Sequence, residues 1–513
     1  MSNDFHDNLP ILVGCGDVTD MATPIEAGRS PYDLIAQAAR LALTDTGAPD
    51  IGAAIDTLAM LRLFSDTSPR FRTKLGASTN PPRSISRRLG IDPARHIYTS
   101  PGGNMPQYLV NLFAEQITRG EMRAALIVGG EALRTQYNGE RAGIDASWDE
   151  NPGGTSDFLG DERRAWSDHE ETHGMRAAIV MYPLIENAIR GDRKRDIGVH
   201  LQSMGRLFEH FATVAAGNPL ATRREGYSAA KLATISPDNR WVGYPYPRLM
   251  NANPYIDQAA AVVITSVGAA RELGIPEDKW VYLHGCADGT DHWFVSEREQ
   301  LGHSPAMHRG VRRALDMAGK TLDGIDMFDI YSCFPSAVEI ACGEIGLAED
   351  DPRGLTVTGG LPFFGGPGNA YVLHSISEMI RQARKRRGAF GLVTANGNYI
   401  TKHSWGIYST MPNAAPWQRE EPKRLQAELD ALPKAPFTET PSGAARIESY
   451  TVMYGKKGAE FGIVIGREDA TGRRFLSNVP NDPAALADLQ DKEGLGRPGT
   501  VTRDGDRNLF VPE

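Results

Sequence analysis

The sequence predicts an α/β protein whose core is a sheet formed by two copies of one structural unit. The first observation is a repeated Gly-Asn pair, at 103–104 and at 368–369. Each pair is followed by a helix-like run and then by an apolar segment, and Val128 and Val393 lie 25 positions after the respective glycines. Two matching spacings of this kind are typical of an internal duplication.

A repeated Ser-Pro pair upstream of each Gly-Asn pair is the second observation. The pairs at 30–31 and 304–305 both open helix-like stretches. Serine is a favourable N-cap, and proline at the first helical position loses no hydrogen bond. Short apolar runs alternate with these helices, which indicates a mostly parallel sheet with helices on its faces.

Length and composition narrow the class of protein. The chain has 513 residues and a formal net charge of −9, and no stretch is basic enough to follow a phosphate backbone, so we expect no nucleic-acid partner. The four cysteines show neither metal-ligand spacing nor a disulfide pattern. Without a signal-like N-terminus or an apolar run long enough for a membrane span, the sequence predicts a cytoplasmic, soluble protein that binds no metal.

Changes in pattern along the chain predict four segments. The alternation of strands and helices is lost within the first half, which indicates an inserted loop or lid. Proline and alanine dominate a later stretch, and the tail carries hairpin signals. The predicted segments are a first half at 1–270 with an insertion at about 134–253, a second half at 271–413, a helix-containing linker at 414–446 and a β-rich domain at 447–513.

Four loops of the predicted core resemble those of the thiolase superfamily in order and spacing. They read TSPGGN at 99–104, YSCFP at 331–335, GGLPFFGGPGN at 359–369 and TANGNYITKH at 394–403. The tail is similar to the additional C-terminal domain of thiolase-like proteins of type 1. This resemblance implies two βαβαβαββ halves in five α/β/α/β/α layers, followed by a small β-rich domain.

The same resemblance implies that the standard Cys/His/Cys catalytic set is missing. Ser100 stands where thiolases carry the cysteine that becomes acylated. Gly366 replaces the histidine of their Gly-His-Pro loop, and Asn396, followed by Gly397, replaces the second cysteine. Tyr331 begins the segment that reads His-Asp-Cys-Phe in sterol-carrier-type thiolases. Ordinary thiolase activity is therefore expected to be weak or absent.

Four side chains remain candidates for catalysis, each with a structural alternative. Ser100 is either a nucleophile that needs a base or the N-cap of a helix entering at Pro101. Tyr331 is either a general acid or base or a wall residue. Cys333 matches the cysteine of the related motif or is inert packing, and His403 is either an acid–base group or structural.

Asparagines and glycines of the same loops are candidate substrate-binding groups. Side-chain and backbone amides here can stabilise a developing oxyanion, although such residues are also common in turns. The candidates are Asn104, Asn369, Gly366, Asn396 and Gly397.

Three functions follow from these residues and from the resemblance. The first is an acyl-CoA-binding protein of the acetyl-CoA acetyltransferase family, with a coenzyme A thioester as substrate or ligand and no tightly bound cofactor. The second is a lyase that cleaves a 3-hydroxyacyl-CoA by a retro-aldol reaction, for which Tyr331 is the motivating residue. The third is a non-enzymatic scaffold. A homodimer, or a protein partner bound through the C-terminal domain, is also expected.

Overall fold

The structure is a computed structural model that describes residues 5–513. Its helices are α1 Pro31–Asp45, α2 Ile51–Ala54, α3 Pro81–Leu89, α4 Met105–Thr118, α5 Leu133–Ala142, α6 Asp168–Thr172, α7 Ala178–Asp192, α8 Ile197–Gly217, α9 Ala229–Ala233, α10 Val267–Glu272, α11 Pro305–Ala318, α12 Pro335–Ile345, α13 Tyr371–Lys385, α14 Pro422–Asp430 and α15 Pro483–Asp491. Its strands are β1 Pro10–Thr19, β2 Thr57–Met60, β3 Arg95–Thr99, β4 Ala124–Ala132, β5 Asp157–Leu159, β6 Trp241–Gly243, β7 Tyr246–Pro247, β8 Asp257–Ser266, β9 Val281–Thr290, β10 Met327–Asp329, β11 Phe390–Gly397, β12 Lys402–Ser409, β13 Gly443–Gly455, β14 Gly458–Glu468, β15 Arg474–Asn478, β16 Pro498–Asp504 and β17 Arg507–Pro512.

The central sheet has ten strands in the order β10-β11-β12-β9-β1-β8-β4-β2-β3-β5. Strands β1 and β9 pair antiparallel and join the half-sheet of the first half to that of the second. The expectation of a mostly parallel sheet is wrong, because the sheet is mixed. Each half ends in strands that return antiparallel beside their neighbours, as in the β11–β12 and β4–β8 pairs.

Helices divide this sheet into layers. Helix α1 packs on β1 and β8, and α11 packs on β9 and β12. Helices α4 and α13 contact each other and strands of both halves, so they form the layer between the two half-sheets. This arrangement confirms the duplicated α/β fold and places the N-terminal ends of α4 and α13 at the junction of the halves.

The two Ser-Pro pairs begin equivalent helices. Ser30 caps α1 by accepting a hydrogen bond from the Asp33 N–H at 3.2 Å, and the Asp33 carboxylate in turn accepts from the Ser30 N–H. Ser304 caps α11 by accepting from the Met307 N–H at 3.1 Å. The local chemistry that the sequence predicts at both helix starts is therefore present.

Strand β5 covers the edge strand of the first half. It pairs in parallel with β3, with Ile97 opposite Asp157 and Thr99 opposite Leu159. Strand β5 belongs to the insertion predicted at 134–253, so part of this insertion is the outermost strand of the main sheet.

The C-terminal domain has its own sheet of seven strands in the order β14-β15-β17-β16-β13-β6-β7. Strands β6 and β7 come from the insertion in the first half, and Met453 of β13 pairs with Gly243 of β6. The tail is thus β-rich as predicted, but its sheet is completed by a segment about 200 residues earlier in the chain. Within residues 5–513 no helix is long and apolar enough to cross a membrane.

Candidate active site between the two halves

The repeated Gly-Asn loops meet at the junction of the halves. Asn369 Oδ1 accepts a hydrogen bond from the Gly102 N–H at 2.8 Å, and Asn369 Nδ2 donates to the Arg62 carbonyl at 2.7 Å. Asn369 is buried. Both the oxygen and the nitrogen of its side-chain amide therefore have protein partners, and the amide orders the loop rather than binding a ligand.

Ser100 lies directly after β3 and is fully buried. Its N–H donates to the Leu159 carbonyl at 2.8 Å, and its hydroxyl has Met105 Sδ as a weak acceptor at 3.8 Å. A Cβ atom placed on Gly160 would lie 2.1 Å from Ser100 Oγ, so the backbone after β5 covers the hydroxyl. The N-cap interpretation is wrong, because α4 begins at Met105, four residues later than Pro101.

Asn104 occupies the N-cap position of α4, but its side chain makes no capping hydrogen bond. Its Oδ1 is buried and has no partner among the described residues. A Cβ atom on Gly397 would lie 2.3 Å from this oxygen and one on Gly102 would lie 2.5 Å from it. Glycine is thus required at both positions for the loops of the two halves to approach each other closely.

Tyr331 lies just beyond β10, and its N–H donates to Thr394 Oγ1 at 2.9 Å. A Cβ atom on Gly103 would be 2.4 Å from the Tyr331 hydroxyl oxygen, so the phenol touches the loop that carries Ser100. Burial, with a smaller contribution from Cys333, raises the pKa of Tyr331 well above its usual value. The phenol is therefore neutral, which suits a proton donor better than a base.

Cys333 and Asn396 both interact with Tyr182, a residue of the insertion. Burial raises the pKa of Cys333 to about 12, so its thiol is protonated and poorly nucleophilic. Asn396 Nδ2 donates to the Tyr182 hydroxyl at 3.2 Å, and the ring of Tyr182 stacks on Phe334 with centroids 4.4 Å apart. Asn396 Oδ1 is buried without a partner among the described residues.

The Gly366 amide is not available as an oxyanion donor. Its N–H donates to the Asn253 carbonyl at 2.9 Å, and its own carbonyl accepts from the Gly368 N–H at 2.7 Å. Gly366 therefore shapes the turn that precedes Asn369.

His403 lies opposite Asn396 in the pairing of β11 and β12, but its ring contacts other residues. Successive residues of a strand point to opposite faces. His403, the second residue of β12, lies over Trp405 and has its Nε2 3.2 Å from Asp291 and 3.5 Å from Ser304, the cap of α11. These partners favour the structural interpretation of His403, and its acid–base role stays a prediction.

Lys402, the neighbour of His403 in β12, is the functional candidate that the sequence analysis missed. Its Nζ donates to the Pro101 carbonyl. A Cβ atom on Gly102 would lie 2.8 Å from Nζ, and burial lowers the pKa of Lys402 to about 8. Side chains alternate between the two faces of a strand, so the sequence predicts the orientation of Lys402 only when the first residue of β12 is known.

Three side chains from three helices are close enough to suggest a metal site. The donor atoms of Glu186, His200 and Glu339 lie within 4.8 Å of one another, and all three residues are buried. However, His200 Nε2 is 2.5 Å from a Glu186 carboxylate oxygen, and the Arg193 guanidinium is 3.2 Å from Glu339. A hydrogen bond and an ion pair therefore already hold this cluster, and the guanidinium would repel a cation.

A cavity of about 640 Å³ opens beside Arg62, the residue whose carbonyl anchors Asn369. Its lining is rich in hydroxyl groups and includes a second arginine, Arg72, and one carboxylate, Asp66. Arginine is a frequent ligand of phosphate groups. The cavity is of a size that accepts a small ligand.

Comparison with known proteins agrees with this architecture. Residues 424–506 match the profile of the thiolase-like protein type 1 additional C-terminal domain. A 3-ketoacyl-CoA thiolase of Salmonella heidelberg (strain SL476) is 30% identical over 160 residues, which cover 28% of this chain and 35% of the relative. The chain thus matches about a third of the length of that curated relative.

Two solved structures are similar over most of their length. A chain of the Ltp2-ChsH2(DUF35) aldolase is 18% identical with a TM-score of 0.57, and the match covers 79% of this chain and 98% of that one. The monomeric SCP2-thiolase-like protein type 1 of Mycobacterium smegmatis is 37% identical with a TM-score of 0.83, covering 98% of this chain and 99% of that one. The chain therefore belongs to the SCP2-thiolase-like proteins of type 1.

Proposed function

We propose that this protein binds acyl-CoA thioesters and that ordinary thiolysis at its site is weak or absent. The observation that carries the proposal is the state of Ser100, whose hydroxyl is buried beneath Gly160 and has only a thioether as hydrogen-bond acceptor. A serine becomes a nucleophile when a base removes its proton. The amine of Lys402, which reaches the residue after Ser100, bonds to the Pro101 carbonyl instead.

The second catalytic requirement of a thiolase is also unmet. Exchange at the α-carbon of a thioester needs a group that accepts and returns a proton. Asn396 cannot titrate, and burial keeps both Tyr331 and Cys333 in their protonated forms. These three side chains therefore do not supply the base that thiolysis needs.

Binding is supported by the cavity beside Arg62. Coenzyme A is a polyanion, and Arg72 makes no ion pair with a carboxylate among the described residues, so its charge is available to a phosphate group.

Calorimetric titration with a panel of acyl-CoA esters tests this proposal. We expect saturable binding of the esters to the wild-type protein, and at least fivefold weaker binding to Arg72→Ala because a charge-assisted contact to phosphate contributes about 1 to 2 kcal/mol. Arg87→Ala, which changes an exposed arginine of α3, is the matched control. Absence of any binding would leave the scaffold hypothesis, and rapid CoA-dependent cleavage of a 3-ketoacyl-CoA would refute the loss of thiolysis.

A lyase function is the second candidate, and the position of Tyr331 favours it. The neutral phenol lies against Gly103 in the loop that carries Ser100. Retro-aldol cleavage of a 3-hydroxyacyl-CoA needs no acyl-enzyme, so it does not depend on the buried serine. It requires proton transfer at the 3-hydroxyl and at the α-carbon, for which a hydroxyl group at this place is suited.

Incubation with a 3-hydroxyacyl-CoA and analysis of the released aldehyde test this second candidate. If Tyr331 transfers the proton, cleavage occurs in the wild-type protein and falls by roughly 100-fold or more in Tyr331→Phe, which keeps the ring and removes the hydroxyl. Equal rates in both proteins would exclude Tyr331 from the reaction, and no cleavage in the wild type would exclude the activity.

A further inference from the structure

The most unusual buried charge in the described part of the chain is at Lys402, which the function proposed above does not use. The side chain is buried, 7% of the residue's surface being exposed, and its Nζ donates to one neutral acceptor, the Pro101 carbonyl. No carboxylate lies within ion-pair distance of Nζ among residues 5–513. Buried lysines without such a partner favour the neutral amine, because burial penalises the charged form.

The nearest acidic group is engaged elsewhere. Asp161 attracts Lys402 electrostatically, but its two carboxylate oxygens accept hydrogen bonds from Arg163 at 2.7 to 3.1 Å. Arg163 in turn stacks on Trp293, whose ring centroid lies 6.0 Å from Nζ. The amine therefore faces an aromatic wall and an already neutralised carboxylate.

The amine of Lys402 packs closely against a glycine of the loop that carries Ser100. A Cβ atom on Gly102 would lie 2.8 Å from Nζ and 3.1 Å from Cε, so a larger residue would collide with the lysine. The next glycine, Gly103, is in contact with the Tyr331 hydroxyl. An amine and a neutral phenol thus contact consecutive residues of one loop, Gly102 and Gly103.

We propose that Lys402 is a nucleophilic site that forms a Schiff base with a ketone or aldehyde carbonyl, such as the 3-keto group of an acyl thioester. The proposal rests on the acyl-CoA binding proposed above for its thioester form. The neutral amine nitrogen attacks the carbonyl carbon, a C–N bond forms, and the carbonyl oxygen leaves as water with the two protons of the amine. No oxidant or reductant is consumed.

Protonation states near neutral pH permit this reaction. With a pKa of about 8, roughly one Lys402 in ten is neutral at pH 7, against about one in 3,000 for an ordinary lysine. The Tyr331 phenol remains protonated in the same range and can donate to the departing oxygen. The imine that results withdraws electrons from the adjacent carbon, which eases loss of a proton or cleavage at that carbon.

Borohydride trapping followed by peptide mapping tests the proposal on the full-length protein. Acetoacetyl-CoA, free acetoacetate and propanal are the three carbonyl probes, each followed by reduction of the imine to a stable secondary amine. We expect at least tenfold more adduct on Lys402 than on the exposed Lys456, and a trapping rate that reaches half its maximum near pH 8. The pH profile separates a reactive amine from a lysine that only holds the loop.

The three probes distinguish this proposal from the one on which it rests. Adduct from propanal or acetoacetate but not from acetoacetyl-CoA, together with no calorimetric binding of thioesters, would support the amine and refute thioester binding. Thioester binding with no adduct on Lys402 from any probe, or with adduct spread evenly over exposed lysines, would overturn the Schiff-base site.

Variants provide a second readout. Lys402→Met removes the amine, and we expect its adduct to disappear while Lys456 is modified as before. Lys402→Arg keeps the hydrogen bond to Pro101 but cannot form an imine under these conditions. Because peptide mapping of the wild-type protein identifies the modified lysine directly, the proposal remains testable if either variant fails to fold.

Discussion

At position 100 a serine stands where the resemblance to thiolases implies a nucleophilic cysteine, and its hydroxyl is covered by backbone. Gly160, with φ at +126°, brings its backbone against Ser100 Oγ. We therefore expect that restoring the thiol alone does not restore the reaction, because the group stays buried and the Lys402 amine beside this loop bonds to the Pro101 carbonyl.

We predict that Ser100→Cys forms no acyl-enzyme with acetyl-CoA. Burial raises the pKa of Cys333 to about 12, and a thiol at position 100 lies in similarly enclosed surroundings, so little thiolate forms at neutral pH. Intact-protein mass spectrometry after incubation measures the result. Stoichiometric acetylation would instead mean that the segment around Gly160 opens readily.

Glu131 is a second residue whose environment has a measurable consequence. It lies near the end of β4, its Oε1 accepts from the Phe64 N–H at 2.8 Å, and burial raises its pKa to about 8. The pKa in the unfolded chain is about 4.3, so between these values the folded state holds a proton that the unfolded state has lost. Stability is therefore expected to fall as pH rises through this window and to be fully reduced above pH 8.

The matching prediction is that Glu131→Gln removes this dependence on pH. Glutamine keeps an oxygen for the Phe64 N–H and does not titrate. Urea denaturation from pH 5 to 9 should show the wild type losing up to about 1.4 kcal/mol per pH unit more than the variant. Glu162→Gln, at an exposed position, should behave like the wild type, and parallel curves for all three proteins would contradict the raised pKa.

Among the elements, strand β5 is the one that bears most directly on the oligomeric state we expect. Its three residues belong to the insertion and pair with β3, whose edge would otherwise be open. An exposed edge is prone to pair with another chain. We therefore expect the protein to be a monomer, rather than the homodimer that the sequence suggested as a possibility.

Replacing Leu159 by proline tests this role of β5. Proline removes the strand's N–H at the residue opposite Thr99 while keeping the carbonyl that Ser100 uses. Light scattering over a concentration series should show a monomeric wild type and a self-associating variant. Leu159→Ala, which keeps the amide, should remain monomeric, and a wild-type dimer would show that β5 does not protect the edge.

Elements also explain what could be predicted from sequence. The Ser30 and Ser304 caps, and the meeting of the two Gly-Asn loops, follow from short local patterns and from their repetition. The side chain of Lys402, and not that of His403, reaches the loop at Pro101. The face that each residue occupies depends on where β12 begins, and that start is fixed by pairing with β11 and β9. Neither β5 nor β6 is predictable locally, since both are three-residue strands stabilised by distant partners.

At the scale of the whole molecule, the C-terminal domain is tied to the core by buried arginines. Arg190 of α7 forms an ion pair with Glu493 at 2.6 Å. Arg474 of β15 is fully buried and donates to the carbonyls of Ser296, Arg298 and Glu299 in the second half. Strands β6 and β7 of the insertion also belong to the sheet of this domain. We therefore expect the domain and the core to unfold together.

Arg474→Met should therefore destabilise the whole chain and not only its tail. The variant leaves three carbonyls short of a donor, two of them in buried contacts, and we expect a loss of about 3 kcal/mol in the free energy of unfolding. Denaturation followed by both tryptophan fluorescence and far-ultraviolet circular dichroism measures it. The neighbouring Arg473 is exposed, so Arg473→Met is the control, and an early separate transition of the tail would contradict the coupling.

The strand that closes the edge of β3 also changes how the site depends on its surroundings. When an edge strand pairs with a strand of a second subunit, the fraction of paired edges depends on protein concentration. Here the covering strand is attached to the same chain, and its local concentration is set by the length of the connection rather than by expression level. We therefore expect the loop around Ser100 to keep its shape at any dilution, so that a single copy of the protein presents the whole of the proposed site.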